Sequence, residues 1–322
     1  MKEVWRKLLC KNIELQLVGT LNGGQSFRWK KILKDDKDEW VGVFRNKLWI
    51  LQQEEDYILY KVLGGSDKSE NSEQTLRDYF QLDLKLEDHY PIWSEKDPYF
   101  KEAAKQFYGI RILNQEVTEN VFSFICSSNN NISRISSMVE KLAKFYGKEI
   151  CEYNNEMYYA FPEVENLADD SVEKKLRDNG FGYRAKYINR TAQIIVENGG
   201  KKWLEKLRNM EYIDSKKNLM TLTGIGAKVA DCICLMSLGH LQAIPVDTHI
   251  YQIAKRLYMP KLHQQKTVTD KIYNEIGDHF RELYGPLAGW AHTVLFCADL
   301  KKFQGNNEKE DTNTKPKKKN KK

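Results

Sequence analysis

One stretch constrains this chain more than any other: Leu219-Met220-Thr221-Leu222-Thr223-Gly224-Ile225-Gly226-Ala227-Lys228-Val229-Ala230-Asp231-Cys232-Ile233. Leu219 and Leu222 form an apolar i, i+3 pair expected on a first helix. Gly224 and Gly226 permit a tight turn and leave backbone N–H groups open at the start of a second helix. Ile225 plugs the gap between the two helices, and Ala230 is small enough for close packing. Amides presented at a helix N-terminus bind phosphate without reading sequence. An ordinary helical hairpin turning on glycine explains fewer of these positions.

Such hairpins also occur in proteins that only hold DNA, so chemistry needs separate evidence. Lys228 falls in the first turn of the second helix, where the helix dipole opposes a cation. An amine nucleophile must be neutral, whereas a free lysine, with a reference pKa of ~10.4, is almost wholly protonated near neutrality. Alone, Lys228 reads equally well as a phosphate contact. Pro245-Val246-Asp247-Thr248-His249 adds a carboxylate where a further helix begins. Asp247 serves there either as a helix cap or as the acid that stabilises positive charge developing at a sugar C1′. Hairpin, lysine and acid in this order are more specific than any one alone.

Composition agrees with a globular chain and narrows little else. At 322 residues, 41% hydrophobic and 30% charged, the chain suffices for two or three lobes with a shared core. No apolar run reaches the ~20 residues of a membrane span, and Met1-Lys2-Glu3-Val4-Trp5 lacks a signal-peptide apolar region. Cys10, Cys126, Cys151, Cys232, Cys234 and Cys297 are scattered, which fits a reducing compartment and suggests neither a metal site nor an iron–sulfur cluster. The net charge of +6 sits entirely beyond residue 300, where nine lysines face three acids. The body is formally neutral, so any DNA surface must be a local patch.

Residues 20–62 read as β-rich, with Trp40–Phe44 and Leu48–Leu51 flanking a turn at Arg45-Asn46-Lys47 and a further short strand at Ile58–Val62. Gly64-Gly65-Ser66-Asp67 opens a polar loop running to about Gln74. From Thr75 onward helical spacing takes over, in Val121–Ile125, Ile132–Tyr146, Val172–Leu176 and Leu219 to about Ala254. Pro91, Pro98, Pro162, Pro245, Pro260 and Pro286 are expected between helices. After Leu300 the periodicity stops, and residues 315–322 read as a disordered basic tail, either a nuclear import signal, a phosphate-binding arm or a solvated end.

The hairpin, Lys228 and Asp247 resemble the helix-hairpin-helix DNA glycosylases, in which lysine plus aspartate marks members that also cleave the strand. Residues 229–236 and 245–249 resemble the eukaryotic 8-oxoguanine branch in particular. So do Gly24-Gln25-Ser26-Phe27-Arg28-Trp29, the run from Phe122 to Asn131, Gly182-Tyr183-Arg184-Ala185-Lys186-Tyr187 and Gly289-Trp290-Ala291-His292. The resemblance implies an α+β fold: an N-terminal twisted antiparallel sheet lobe (1–105), a middle helical lobe (106–190), a catalytic hairpin lobe (191–302) and the tail (303–322).

It also implies roles. Cys232 and Lys228, on one helical face, would line one side of an extruded base, with Phe296 stacked on the other and Met236 extending the wall. The Gly24 carbonyl would accept the N7–H that distinguishes 8-oxoguanine from guanine. His292 departs from the family pattern, which has glutamine at the base's Watson–Crick edge; an imidazole offers a smaller hydrogen-bonding set. Tyr183 would wedge the duplex open, while Asn129, Arg134 and Arg184 would hold the orphaned cytosine. His249, oriented by Asp299, would contact phosphate, as would the Gly224–Gly226 turn. From the residues alone, core packing, a glycine turn and a helix-capping Asn129-Asn130-Asn131 remain open alternatives. The expectation is a monomeric nuclear glycosylase and lyase acting on double-stranded DNA with oxidised guanine, without cofactor. The rivals are a relative specific for another oxidised or alkylated purine, and a silent DNA-binding module.

Overall fold

The computed structural model describes residues 4–64, 71–264 and 267–311, with side chains to residue 300. Five antiparallel strands open the chain: β1 (Arg6–Leu9), β2 (Trp29–Lys34), β3 (Lys37–Phe44), β4 (Lys47–Gln53) and β5 (Tyr57–Leu63). Their order is β1-β5-β4-β3-β2, so a four-strand meander receives β1 on its far edge. The β3–β4 turn is Arg45-Asn46, both at positive φ, and Lys47 already belongs to β4 rather than to the turn. Alternation along β3 splits its side chains between two cores: Trp40 and Phe44 on one face, Val41 and Val43 on the other.

The first face is covered by α1 (Leu17–Asn22) and α2 (Ser72–Phe80). Phe44 stacks between Trp49 and Tyr79, at centroid distances of 4.5 and 4.0 Å. Each such pair adds about 1 kcal/mol beyond area burial. The polar loop expected to reach Gln74 gives way to α2 at Ser72, because Asn71 caps the helix by accepting from the Glu73 and Gln74 amides. Residues 65–70 of that loop lie outside the described residues. The second face is closed by a hairpin from much later in the chain, β6 (Glu149–Tyr153) and β7 (Glu156–Tyr159), whose Tyr153 and Tyr158 enter the core.

The helical body comprises α3 (Leu86–Lys96), α4 (Pro98–Ala104), α5 (Val117–Ser127), α6 (Ile132–Tyr146), α7 (Ser171–Asp178), α8 (Arg184–Glu197), α9 (Lys201–Lys206), α10 (Tyr212–Leu219), α11 (Ala227–Ser237), α12 (Thr248–Ile253), α13 (Asp270–Tyr284) and α14 (Ala288–Asp311). One continuous core runs through it from Phe27 to Cys297. Pro91 lies inside α3 rather than between helices. The position is exposed, so water can meet the Glu87 carbonyl that the proline leaves without an amide donor. The backbone of α14 passes the expected end of folded structure and continues to Asp311; extending a nucleated helix costs far less than starting one. Residues 315–322, read as a basic tail, lie outside the described residues.

Buried Arg111 joins the lobes. Its guanidinium donates to the Gln81 and Leu84 carbonyls, at 2.9 and 2.6 Å, and pairs with Glu14. Next to it, the Trp290 indole donates to the Ile110 carbonyl at 2.7 Å. This fixes α14 against the segment that leaves the sheet lobe.

Candidate active site

The hairpin forms as α10, a turn and α11, with one change from expectation. The first helix ends at Leu219, so Leu222 lies in the turn, although both side chains are buried. Gly224 takes φ +83°, and a Cβ there would stand 2.5 Å from the Tyr187 ring of α8, so glycine is required twice over. The Thr191 hydroxyl of α8 donates to the Thr223 carbonyl at 2.8 Å and holds the turn from the same side. Gly226 is the N-cap of α11; no side chain caps the helix, and a Cβ there would meet nothing within 4 Å. The first α11 amides thus have no side-chain cap, the condition under which a helix start binds an anion.

Lys228 is half-buried in the first turn of α11, its ε-amino group 5.2 Å from the centre of the Phe124 ring of α5. Cys232, one turn further, is 2% exposed. Burial pushes its thiol up to about 11; the nearby Lys228 charge opposes the rise, and the Asp247 and Asp231 charges add to it. Lys228 and Asp247 thus act on the same buried sulfur. Asp247 caps α12: its Oδ1 accepts the Ile250 amide at 2.9 Å. That use of one oxygen leaves Oδ2 unengaged among the described residues. Capping and a charge-stabilising role are compatible.

Met236 is buried in the last turn of α11, and its carbonyl accepts the Gln115 amide at 2.8 Å. The Gln115 side chain donates to the Gln25 carbonyl, also at 2.8 Å, and Gln25 is itself fixed by the Arg111 carbonyl and the Leu113 amide. This chain of bonds places Gly24 near the end of α11. Gly24 has φ +73° and open space beside it. Gly23 abuts the Cys297 sulfur, next in sequence to half-buried Phe296. Sequence reasoning missed Gln25 and Gln115 as anchors; Gln25 lay within a quoted motif, but nothing local marks Gln115.

His292 is 4% exposed and packs edge-on against Phe280. Neither ring nitrogen has a hydrogen-bond partner among the described residues. Burial lowers its pKa to about 4; the Pro245 and Gly289 carbonyls face the ring and counter this slightly, without hydrogen-bonding geometry. The imidazole is therefore neutral at physiological pH. His249 Nδ1 stands 3.4 Å from Asp299, which also binds Arg256 at 2.9 Å, and the His249 ring meets Phe296 edge-on. A cavity of about 670 Å³ between α4, α14 and Ile253-Arg256-Leu257 reaches this cluster through Arg256 and Asp299 and is not the expected base pocket.

The other set assembles at the start of α8. Tyr183 is 45% exposed and donates to the Ser128 carbonyl at 3.1 Å. Arg184 differs from expectation: it is buried, bonded to the Ser128 and Asn129 carbonyls and stacked on Tyr183, so it shapes the 128–129 loop from beneath. Asn129 is exposed in the left-handed region at φ +46°. Asn131 caps α6 and Asn130 binds the Cys126 carbonyl, so the capping alternative holds for these two but not for Asn129. Arg134 is exposed beside Gly180, whose carbonyl it meets at 3.2 Å.

A hairpin of this build, a lysine at its second helix and a carboxylate beside it define a base-excision enzyme of the helix-hairpin-helix class. Residues 122–278 match the HhH-GPD superfamily base excision DNA repair protein family, and residues 7–121 the 8-oxoguanine DNA glycosylase N-terminal domain. The chain is 38% identical to N-glycosylase/DNA lyase OGG1 of Arabidopsis thaliana over 92% of its own length and 80% of that protein's. It is 37% identical to the N-glycosylase/DNA lyase of Saccharomyces cerevisiae over 91% and 86%. Among solved structures it resembles Clostridium acetobutylicum 8-oxoguanine glycosylase/lyase, bound to double-stranded DNA with cytosine opposite 8-oxoguanine. The TM-score is 0.78 at 28% identity, with 91% and 93% of the chains covered. The chain belongs to the 8-oxoguanine DNA glycosylase family, within the HhH-GPD superfamily, and is a DNA N-glycosylase with lyase activity.

Proposed function

We propose that this protein excises 8-oxoguanine paired with cytosine in duplex DNA and then nicks the abasic strand. One observation carries the reading: Lys228 stands half-buried in the first turn of α11, and Asp247 stands at the N-cap of α12 with only Oδ1 spent on the cap. The Lys228 amine attacks C1′ of the extruded nucleoside as the N-glycosidic bond breaks, and Asp247 offsets the positive charge on the sugar. The C1′–O4′ bond of that adduct then opens, O4′ taking a proton, to give a Schiff base that acidifies C2′; loss of the C2′ proton expels the 3′ phosphate by β-elimination. The relatives' lyase names and the cytosine-paired lesion of the Clostridium complex support this course.

The remaining residues take supporting parts. Cys232, Met236 and Phe296 enclose the base, and the Gly24 carbonyl accepts its N7–H. His292, with a donor and an acceptor both lacking protein partners, meets the base edge. Tyr183 wedges the stack, Asn129 and Arg134 face the orphaned cytosine, and Arg184 supports them through their loop. The amides following Gly224 and Gly226 grip phosphate together with His249, which Asp299 orients. The protein works as a monomer, in the nucleus, a location supported by its plant and yeast relatives.

Borohydride trapping on duplexes carrying 8-oxoguanine opposite each of the four bases tests the reading. The expected outcome is a covalent adduct strongest opposite cytosine and abolished by Lys228→Gln, with a loss of more than about 10⁴-fold. Trapping by that variant removes Lys228 as nucleophile. A clear preference for another oxidised or alkylated purine makes His292 the mark of a different substrate.

A further inference from the structure

Asp247 ends a segment, residues 240–247, that belongs to neither helix nor strand in its last five positions. Pro245 in that segment has no N–H to anchor it. The polar groups on either side, the Ile244 carbonyl and the Val246 amide, both meet one side chain: the Tyr273 hydroxyl of α13, at 3.3 Å each. The amide donates to that oxygen. The phenol proton goes to Asp231 Oδ2, only 2.5 Å away, and shares little with the more distant Ile244 carbonyl. Burial and the Asp231 charge keep the phenol protonated, so its lone pair stays aimed at Val246.

Asp231 is itself immobilised. It is fully buried, its Oδ1 accepts from the Tyr212 hydroxyl at 2.6 Å, and its Oδ2 binds the Lys216 ammonium at 2.8 Å. It lies on α11 three residues after Lys228 and one before Cys232. A single relay, α11 to Asp231 to Tyr273 to the Val246 amide, therefore ties the helix bearing the amine to the loop bearing the acid. Every partner in it is a fixed, desolvated hydrogen bond.

We infer that Tyr273 is a positioning residue for base excision, one that sets the separation of Asp247 from Lys228 through Asp231 and Val246. The inference rests on the catalytic reading of Lys228 and Asp247. Because a displacement of about 1 Å in a reacting group can cost 10²-fold in rate, loss of the hydroxyl reaches the chemistry without touching DNA.

Tyr273→Phe keeps the ring and removes only the hydroxyl. Single-turnover release of 8-oxoguanine is expected to slow about 10-fold or more, with lesion-duplex affinity unchanged. Tyr212→Phe removes a different donor from Asp231 but leaves the loop alone; it should lower the melting temperature comparably and keep the rate. In an Asp247→Asn background, Tyr273→Phe should change the residual rate hardly at all. Full activity in Tyr273→Phe, equal slowing in Tyr212→Phe, or an undiminished effect in the double variant each overturns the inference. Asp247→Asn alone excising at the wild-type rate instead sinks the catalytic reading on which this rests. Should Tyr273→Phe not fold, amide exchange in the wild-type protein decides: Val246 protected like the α11 core supports the relay, and Val246 exchanging as fast as the exposed Thr248 amide refutes it.

Discussion

Asp231 and His292 are both polar side chains with almost no exposure in the same helical lobe, and they are built in opposite ways. Asp231 has a partner for each oxygen: two tyrosine hydroxyls and a lysine. His292 has none for either nitrogen among the described residues. A buried polar group left without a partner costs about 1–3 kcal/mol, a cost that folding alone would not retain. Asp231 is thereby part of the frame, whereas the vacancy at His292 is what the proposed base contact uses. Asp247 lies between the extremes, with one oxygen engaged in a cap.

Asp231→Asn gives the sharpest contrast. It leaves the Lys216 ammonium without its counter-charge, and breaking such a buried pair costs about 3–5 kcal/mol. Chemical denaturation should show that loss; an unchanged midpoint would mean Asp231 is not the saturated hub described. Asp247→Asn comes next. Asparagine caps a helix as well as aspartate does, so stability should hold, while base release falls by about 10²–10³-fold, the scale for removing one charge-stabilising group. A variant that loses stability instead would mark Asp247 as frame.

His292→Leu should have the smallest effect on rate and an opposite effect on stability. With no protein bond to break, the melting temperature should hold or rise, while lesion affinity drops about 10-fold for the lost base contact. Acid sensitivity provides a second measure. With a folded pKa near 4 against 6.5 in the unfolded chain, the unfolded state alone binds a proton between those values. Stability from this group is thus fully present above pH 6.5 and lost as pH falls towards 4, by about 3 kcal/mol. Denaturation midpoints across that window should therefore fall more steeply in the wild type than in His292→Leu. Parallel curves would show that the imidazole is satisfied after all.

Much of this was readable from local patterns. The β3–β4 hairpin was, because period-two alternation flanks the Arg45-Asn46 turn, and so was α6, whose apolar stripe and Asn131 cap bound it. Gly224 marked the hairpin because its φ of +83° and the Tyr187 ring leave no room for a Cβ, whereas Gly226, extended and in open space, is not demanded by backbone geometry. β2, with the lysine-rich sequence WKKILK, and the polar β6–β7 hairpin lack that apolar alternation; their local signal is the two-residue turns Asp35-Asp36 and Asn154-Asn155, all at positive φ, across which each pairs with its neighbour. Arg184 read as a base contact; its Nη2 binds two backbone carbonyls while its buried Nε has no partner among the described residues, a division that residue type cannot foretell. Tyr212, Asp231 and Tyr273 converge from three helices with no spacing rule between them. Buried polar networks are set by tertiary geometry, and a sequence scan passes over them.

The β6–β7 hairpin that closes the second face of the N-terminal sheet has a consequence for biosynthesis. Tyr153 donates to Glu39 at 2.7 Å across 114 residues of chain. On the ribosome, then, the first five strands emerge with Val41, Val43, Leu48 and Ile50 bare until residues 149–159 have followed. At typical elongation speeds of about 5–20 residues per second, that interval lasts several seconds. A chaperone bound to the nascent β3–β4 ribbon would find its natural release signal in the arrival of residues 149–159.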